Sequence, residues 1–184
     1  MQAARGASLS PEPGQGRTSG AAVGLFGVTA VSVWILDQLT KSAAVAWLDD
    51  GTSVTLIPQV FWLTLTRNAG AAFSTGTGYT VVLSLVALGV VVVVLRLAAK
   101  LRDRGWALGL GLLLGGALGN VTDRILREPA PLRGHVVDFL HLTHWPVFNV
   151  ADIALTFAAI TIILRTWRGV SLDGSKDGSR DGSR

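Results

Sequence analysis

The 184-residue chain has no cysteine, 49% hydrophobic residues, only 15% charged residues and a mean hydropathy of +0.48. That balance excludes an ordinary soluble domain, a disulfide framework, a thiol nucleophile and thiolate metal sites, and it places the chain among membrane proteins. The formal charge of +4 does not point to nucleic acid, because Lys and Arg gather beside the apolar stretches as juxtamembrane charges do.

Residues 1–20 are rich in Gly, Pro, Ser and Gln, lack apolar periodicity and predict a disordered cytoplasmic segment. A four-helix membrane domain is expected over residues 21–168. Its first apolar run extends to about Leu48 and is interrupted by Asp37-Gln38-Leu39-Thr40-Lys41. Ala44-Val45-Ala46 resembles a signal-peptide cleavage site, but an acid and a base between the apolar run and that site argue for a retained helix. Asp37 and Lys41 stand four apart with the acid first, the favourable order for a helical ion pair, and a structural salt bridge is the expected role.

Residues 49–79 form a polar excursion. Val54 to Ile57 and Phe61 to Thr66 alternate as a half-exposed β-hairpin does, leading into Arg67-Asn68-Ala69-Gly70-Ala71-Ala72-Phe73, where small residues let backbone approach a side-chain amide. The second apolar run, Thr80 to Leu95, carries no interior charge and reads as lipid-facing scaffold. After the basic loop with Lys100, Arg102 and Arg104, a third run goes from Trp106 to about Leu126. It holds Gly115-Gly116-Ala117-Leu118-Gly119-Asn120-Val121-Thr122-Asp123-Arg124. At 100° per residue Gly109, Gly116, Asn120, Asp123 and Arg127 share one narrow sector, with Arg124 at its flank. Ionisable groups in such a helix cost about 2.5–3.5 kcal/mol on insertion scales, so they face the protein interior and mark a site.

A second excursion, residues 127–149, contains the strand-like Val136-Val137-Asp138-Phe139-Leu140 and the histidines His135, His141 and His144. The fourth run starts near Asn149 and carries Asp152; residues 169–184, with their DGSK and DGSR repeats, read as a disordered cytoplasmic tail. Basic clusters before the first run, between the second and third, and after the fourth predict that both termini are cytoplasmic and both excursions external. Asp123 and Asp152 then lie at one depth, each three residues from an amide, Asn120 and Asn149. Two such carboxylates can share a proton for aspartic-type hydrolysis, or can stitch the bundle together.

Five motifs, Asp37-Gln38-x-x-Lys41, Asn68-x-Gly70-x-Ala72-Phe73, Gly116-Ala117-x-Gly119-Asn120-x-x-Asp123-Arg124, Val136-Val137-Asp138-Phe139 and Phe148-Asn149-x-Ala151-Asp152, follow in order and spacing the pattern of the bacterial lipoprotein signal peptidases, or signal peptidase II. The resemblance implies an all-α membrane protein of four transmembrane helices with a small extracytoplasmic β-cradle. It implies an aspartic endopeptidase of the bacterial cytoplasmic membrane, with its site near the outer leaflet, that cleaves diacylglyceryl-modified prolipoproteins just before the lipidated cysteine. By the same resemblance Asp123 and Asp152 are the catalytic dyad, and Asn68, Gly70, Asn120, Arg124 and Asn149 bind substrate. Asp37, Lys41 and Asp138 support the site. No cofactor or metal is implied; membrane lipids and the cyclic lipopeptide globomycin are expected partners. Two rivals are a metallopeptidase built on His135, His141, His144 and Asp138, which lacks an H-E-x-x-H helix, and a proton-coupled transporter, for which helix two lacks an acid.

Overall fold

The structure is a computed structural model that describes residues 20–48, 51–70, 78–129 and 131–176. The N-terminal 19 residues, Asp49, Asp50, Ala72, Phe73 and the last DGS repeats lie outside the described residues. Four helices, α1 (Gly20–Trp47), α2 (Gly78–Ala98), α3 (Arg104–Leu126) and α4 (Val150–Trp167), are joined by three strands, β1 (Ser53–Ile57), β2 (Phe61–Asn68) and β3 (Val136–Leu142). All four helices are long and apolar enough to cross a membrane. The strands form one antiparallel sheet in the order β1-β2-β3, so the predicted hairpin receives the strand-like run of the second excursion on its far edge.

Helix α3 is the centre of the bundle, packed against α1, α4 and α2. Its small residues make this possible. A Cβ on Gly111, Gly115 or Gly119, spaced four apart, would come within 2.9 Å of Thr29, Ala30 or Asp37 on α1. One on Gly116 would meet the Ala151 carbonyl of α4 at 2.8 Å. Small residues at this spacing let two helix backbones approach closely where lipid offers no hydrophobic drive for association. Towards the loop between α2 and α3, Ala22, Phe26 and Ala30 of α1 pack with Val94, Leu101, Leu110 and Leu114; at the other end Ala44 and Leu48 pack under Leu65, Val137 and Phe139 of the sheet. The sheet is thereby seated on the end of α1.

Helix α2 is largely exposed, as a lipid-facing scaffold is, yet it is pinned at its sheet end. Thr80 donates to the Ala69 carbonyl at 2.6 Å and buried Ser84 to the Leu132 carbonyl at 2.8 Å. Part of the stretch expected as a solvated tail behaves otherwise. Val170 is buried, its carbonyl accepts from the Trp106 indole at 2.7 Å, and the Leu172 carbonyl accepts from the backbone of Arg102 and Asp103. Residues 169–176 therefore fold back on the α2–α3 connection, because the amides at the start of α3 need acceptors that this turn supplies.

Gly115→Val is expected to destabilise the bundle by about 1–3 kcal/mol through overpacking against Ala30 and Val33. Gly89→Ala, in open space on α2, should leave stability unchanged or slightly raised. Thermal unfolding in detergent checks both, and equal melting temperatures for the two variants would contradict the packing described.

Candidate active site

The site begins with a cation that has no access to solvent. Lys41 Nζ, fully buried, lies 2.8 Å from Asp37 Oδ2 and 2.9 Å from Asp123 Oδ2, and it donates to Asn120 Oδ1 at 3.0 Å. All three of its protons are used. The second oxygen of Asp37 accepts the backbone N–H of Ala151 at 2.9 Å, in the first turn of α4, where a carboxylate is favoured by the helix dipole. The second oxygen of Asp123 accepts from Arg127 Nε at 2.6 Å, and the backbone N–H of Val137 donates to its first at 3.1 Å. Two acids and two bases thus balance in the interior, and they tie α1, α3, α4 and β3 together.

The remaining two acids converge on a different residue. Asn149 caps α4: its side chain accepts the Asp152 N–H at 3.0 Å, and its own N–H donates to Asp152 Oδ2 at 3.1 Å, a reciprocal capping box. The Asn149 amide also donates to Asp138 Oδ1 at 2.6 Å. Asp138 Oδ2 accepts from the Asn68 amide at 2.8 Å, and Asp152 Oδ1 from the Asn120 amide at 3.0 Å. Every carboxylate oxygen of this pair is held by a neutral amide, where those of Asp37 and Asp123 are held largely by cations. Asp138 is buried in β3, outside the helices, and that burial, with the nearby Asp152 charge, pushes its carboxyl up to about 6 against the opposing pull of the Asn68 and Asn149 hydrogen bonds.

This arrangement departs from the expected pairing of Asp123 with Asp152. Asp123 is 1% exposed and has a cation on each oxygen. The acid that partners Asp152 across Asn149 is Asp138, expected only as a support. The signal was present as a carboxylate inside an otherwise apolar strand, Val136 to Leu140, whose alternation turns Asp138 away from the Val137 and Phe139 core. The other expected site residues do gather here. Asn68, Asn120 and Asn149 are the amide holders of the two acids. Gly70 has φ +105° and donates its N–H to Asn68 Oδ1 at 2.8 Å, a turn that sets the Asn68 amide and that only glycine adopts without strain. Arg124 sits in the field of Asp138, Asp123 and Asp152, and its buried Nη1 has no hydrogen-bond partner among the described residues.

The histidines are placed elsewhere. His141 lies against Trp62 with ring centroids 5.4 Å apart, and among the described residues no three His, Asp or Glu side chains come together as a metal site.

The family model for signal peptidase (SPase) II matches residues 29–168, a span that contains every residue of this site. The chain belongs to the signal peptidase II family. It is accordingly an aspartic-type peptidase. Over 144 residues it is 51% identical to the lipoprotein signal peptidase of Mycobacterium tuberculosis (strain H37Rv), covering 78% of this chain and 71% of that one. Over 152 residues it is 50% identical to that of Rhodococcus jostii, covering 83% and 77%. The fold is similar to a bacterial membrane enzyme solved in meso at 1.9 Å resolution, with a TM-score of 0.70 and 31% identity over 78% of this chain and 92% of that one.

Two outcomes follow from the charges. Lys41→Met leaves Asp37 and Asp123 buried without their common cation and should cost about 3–5 kcal/mol, read as a fall in thermal stability; adding Asp37→Asn should recover part of it. For Asp138 the raised carboxyl means that the folded protein keeps a proton between about pH 4 and 6 that the unfolded chain releases. Stability then falls as pH rises through that window. Unfolding measured from pH 4 to 7 should show a steeper fall for the wild type than for Asp138→Asn.

Proposed function

We propose that this peptidase removes signal peptides from diacylglyceryl-modified prolipoproteins, cutting before the lipidated cysteine with Asp138 and Asp152 as its working acids. The observation that carries the pairing is the convergence of both carboxylates on Asn149, whose side-chain amide donates to Asp138 and whose backbone N–H donates to Asp152. Asp152, at the N-terminus of α4 with an N–H donor orienting each of its carboxylate oxygens, is placed to take a proton from water. Asp138, with its raised carboxyl, is suited to hold the proton and give it to the scissile carbonyl oxygen.

Water adds to the carbonyl carbon as Asp138 protonates the oxygen. The C–N bond then breaks, the cysteine amine leaves with a proton returned from Asp152, and Asp138 is reprotonated as the carbonyl reforms. The free Nη1 of Arg124 supplies a donor for substrate backbone beside this pair. Asp123 is a positioning residue in this scheme: through Val137 it fixes the strand that presents Asp138.

The orientation follows the basic clusters: both termini cytoplasmic, with the sheet and the acids at the outer surface of the cytoplasmic membrane. A substrate anchored by its lipid in the same leaflet meets the site by diffusion in two dimensions, and globomycin, itself a lipopeptide, is read as a competitor for that place.

Asp138→Asn and Asp152→Asn should each lower cleavage of a diacylglyceryl-modified precursor by at least about a hundredfold to ten-thousandfold, with melting temperature little changed. Asp123→Asn should instead show a marked loss of thermal stability, and whatever folds should retain measurable turnover. Near-normal cleavage by Asp138→Asn would refute the pairing.

A further inference from the structure

Next to Asp152 is a cavity of about 170 Å³ lined by Trp145, Phe148, Asp152, Ile153, Thr156 and Phe157. It opens on the flank of α4 that turns away from the α3 glycines: Ala151 and Leu155 meet those glycines, at 100° per residue Ile153, Thr156 and Phe157 fall on the far side, and Asp152 stands at the edge, where it also accepts from Asn120 of α3. We propose that this cavity receives an acyl chain of the diacylglyceryl group on the substrate's cysteine. The inference rests on the reading of the substrate above and assigns a place to its lipid.

Three features support that occupant. The first is continuity with the chemistry. If the bond cut is the one before the modified cysteine, the lipid hangs a single residue from the reacting carbonyl, and a cavity walled by Asp152 itself is within its reach. The second is the lining. Phe148, Ile153 and Phe157 make the apolar walls, Trp145 adds an indole, and Thr156 already donates its hydroxyl to the Asp152 carbonyl at 2.8 Å. A polar group lodged against the three apolar walls would find no partner there, whereas a hydrocarbon chain needs none.

The third feature is the opening. Phe157 is 57% exposed on a membrane-length helix, so the cavity is open towards lipid, and a chain enters sideways without crossing water. Trp145, 64% exposed, stands at the end of the span, where an indole suits the boundary between acyl chains and headgroups. Phe148 is held by backbone hydrogen bonds to Phe139 and Leu140, at 3.0 and 2.9 Å, directly after Asp138 in β3. A chain lodged against Phe148 is therefore registered to the strand that bears one acid and the helix that bears the other.

The test compares two precursors with the same peptide, one carrying palmitoyl chains and one butyryl chains, cleaved by the wild type, Phe157→Ala and Thr156→Trp in detergent. Each buried methylene contributes about fourfold in affinity, so the wild type should favour the long chains by at least about tenfold, mainly in KM. Phe157→Ala should shrink that preference, and Thr156→Trp, which fills the cavity, should abolish it while the butyryl precursor is still cut. Equal chain-length preference in all three proteins would overturn the assignment, as would variants that change selectivity for the peptide residues before the cleavage site instead. Failure of the wild type to cut either precursor would refute the substrate reading itself, an outcome distinct from the other two.

Discussion

One buried ammonium holds the architecture together. Lys41 places a full charge where solvent does not reach, and that charge is tolerable only because Asp37 and Asp123 flank it within 3 Å and Asn120 takes its third proton. Each of those partners is fixed by the need to satisfy the ion. Asp37 stands across from Gly119, where a side chain would strike its carboxylate, and it receives the start of α4. Asp123 reaches up to Val137 and sets the edge of the sheet. The glycine rows of α3 are the steric condition for this contact; the ion cluster is the reason that one register of the helices wins over others that would bury the same apolar area.

From that cluster the acids divide by the company they keep. Asp37 and Asp123 are neutralised by cations and serve to join elements. Asp138 and Asp152 are held by amides, which orient a carboxylate while leaving its proton exchangeable. Neutral holders are what an acid–base pair requires, since a cation on the same oxygen would bind the ionised form too firmly for a proton to return. Asn120 stands between the two groups: its oxygen receives Lys41 and its nitrogen serves Asp152. The ion cluster and the proposed acid pair are thus joined through one amide, and the charge of Lys41 is felt at Asp138.

Much of this was legible in the chain. Four spans, the hairpin, the extra strand and the Asp37–Lys41 pair follow from hydropathy, alternation and spacing, because those features are local. The different company of Asp123 and Asp138 was not, because their partners Lys41 and Asn68 are brought from α1 and β2, far away in sequence. Depth along the helices made Asp123 match Asp152, yet depth carries no information about which oxygens are already occupied. Arg127, four residues after Asp123, was the visible hint that this acid already had a cation. The packed turn at residues 169–176 escaped notice for a related reason: its composition is that of a solvated tail, and only the amides of Arg102 and Asp103 give it a place.

That turn lies at the end of the bundle opposite the acids. There Arg165 is paired with Asp103, Trp106 is bonded to Val170, and Leu172 closes over the start of α3. The opposite end is fastened as well, by Lys41 with Asp37 and Asp123, so α3 is clamped near both of its ends and the acids beside it stand on a frame that resists parting.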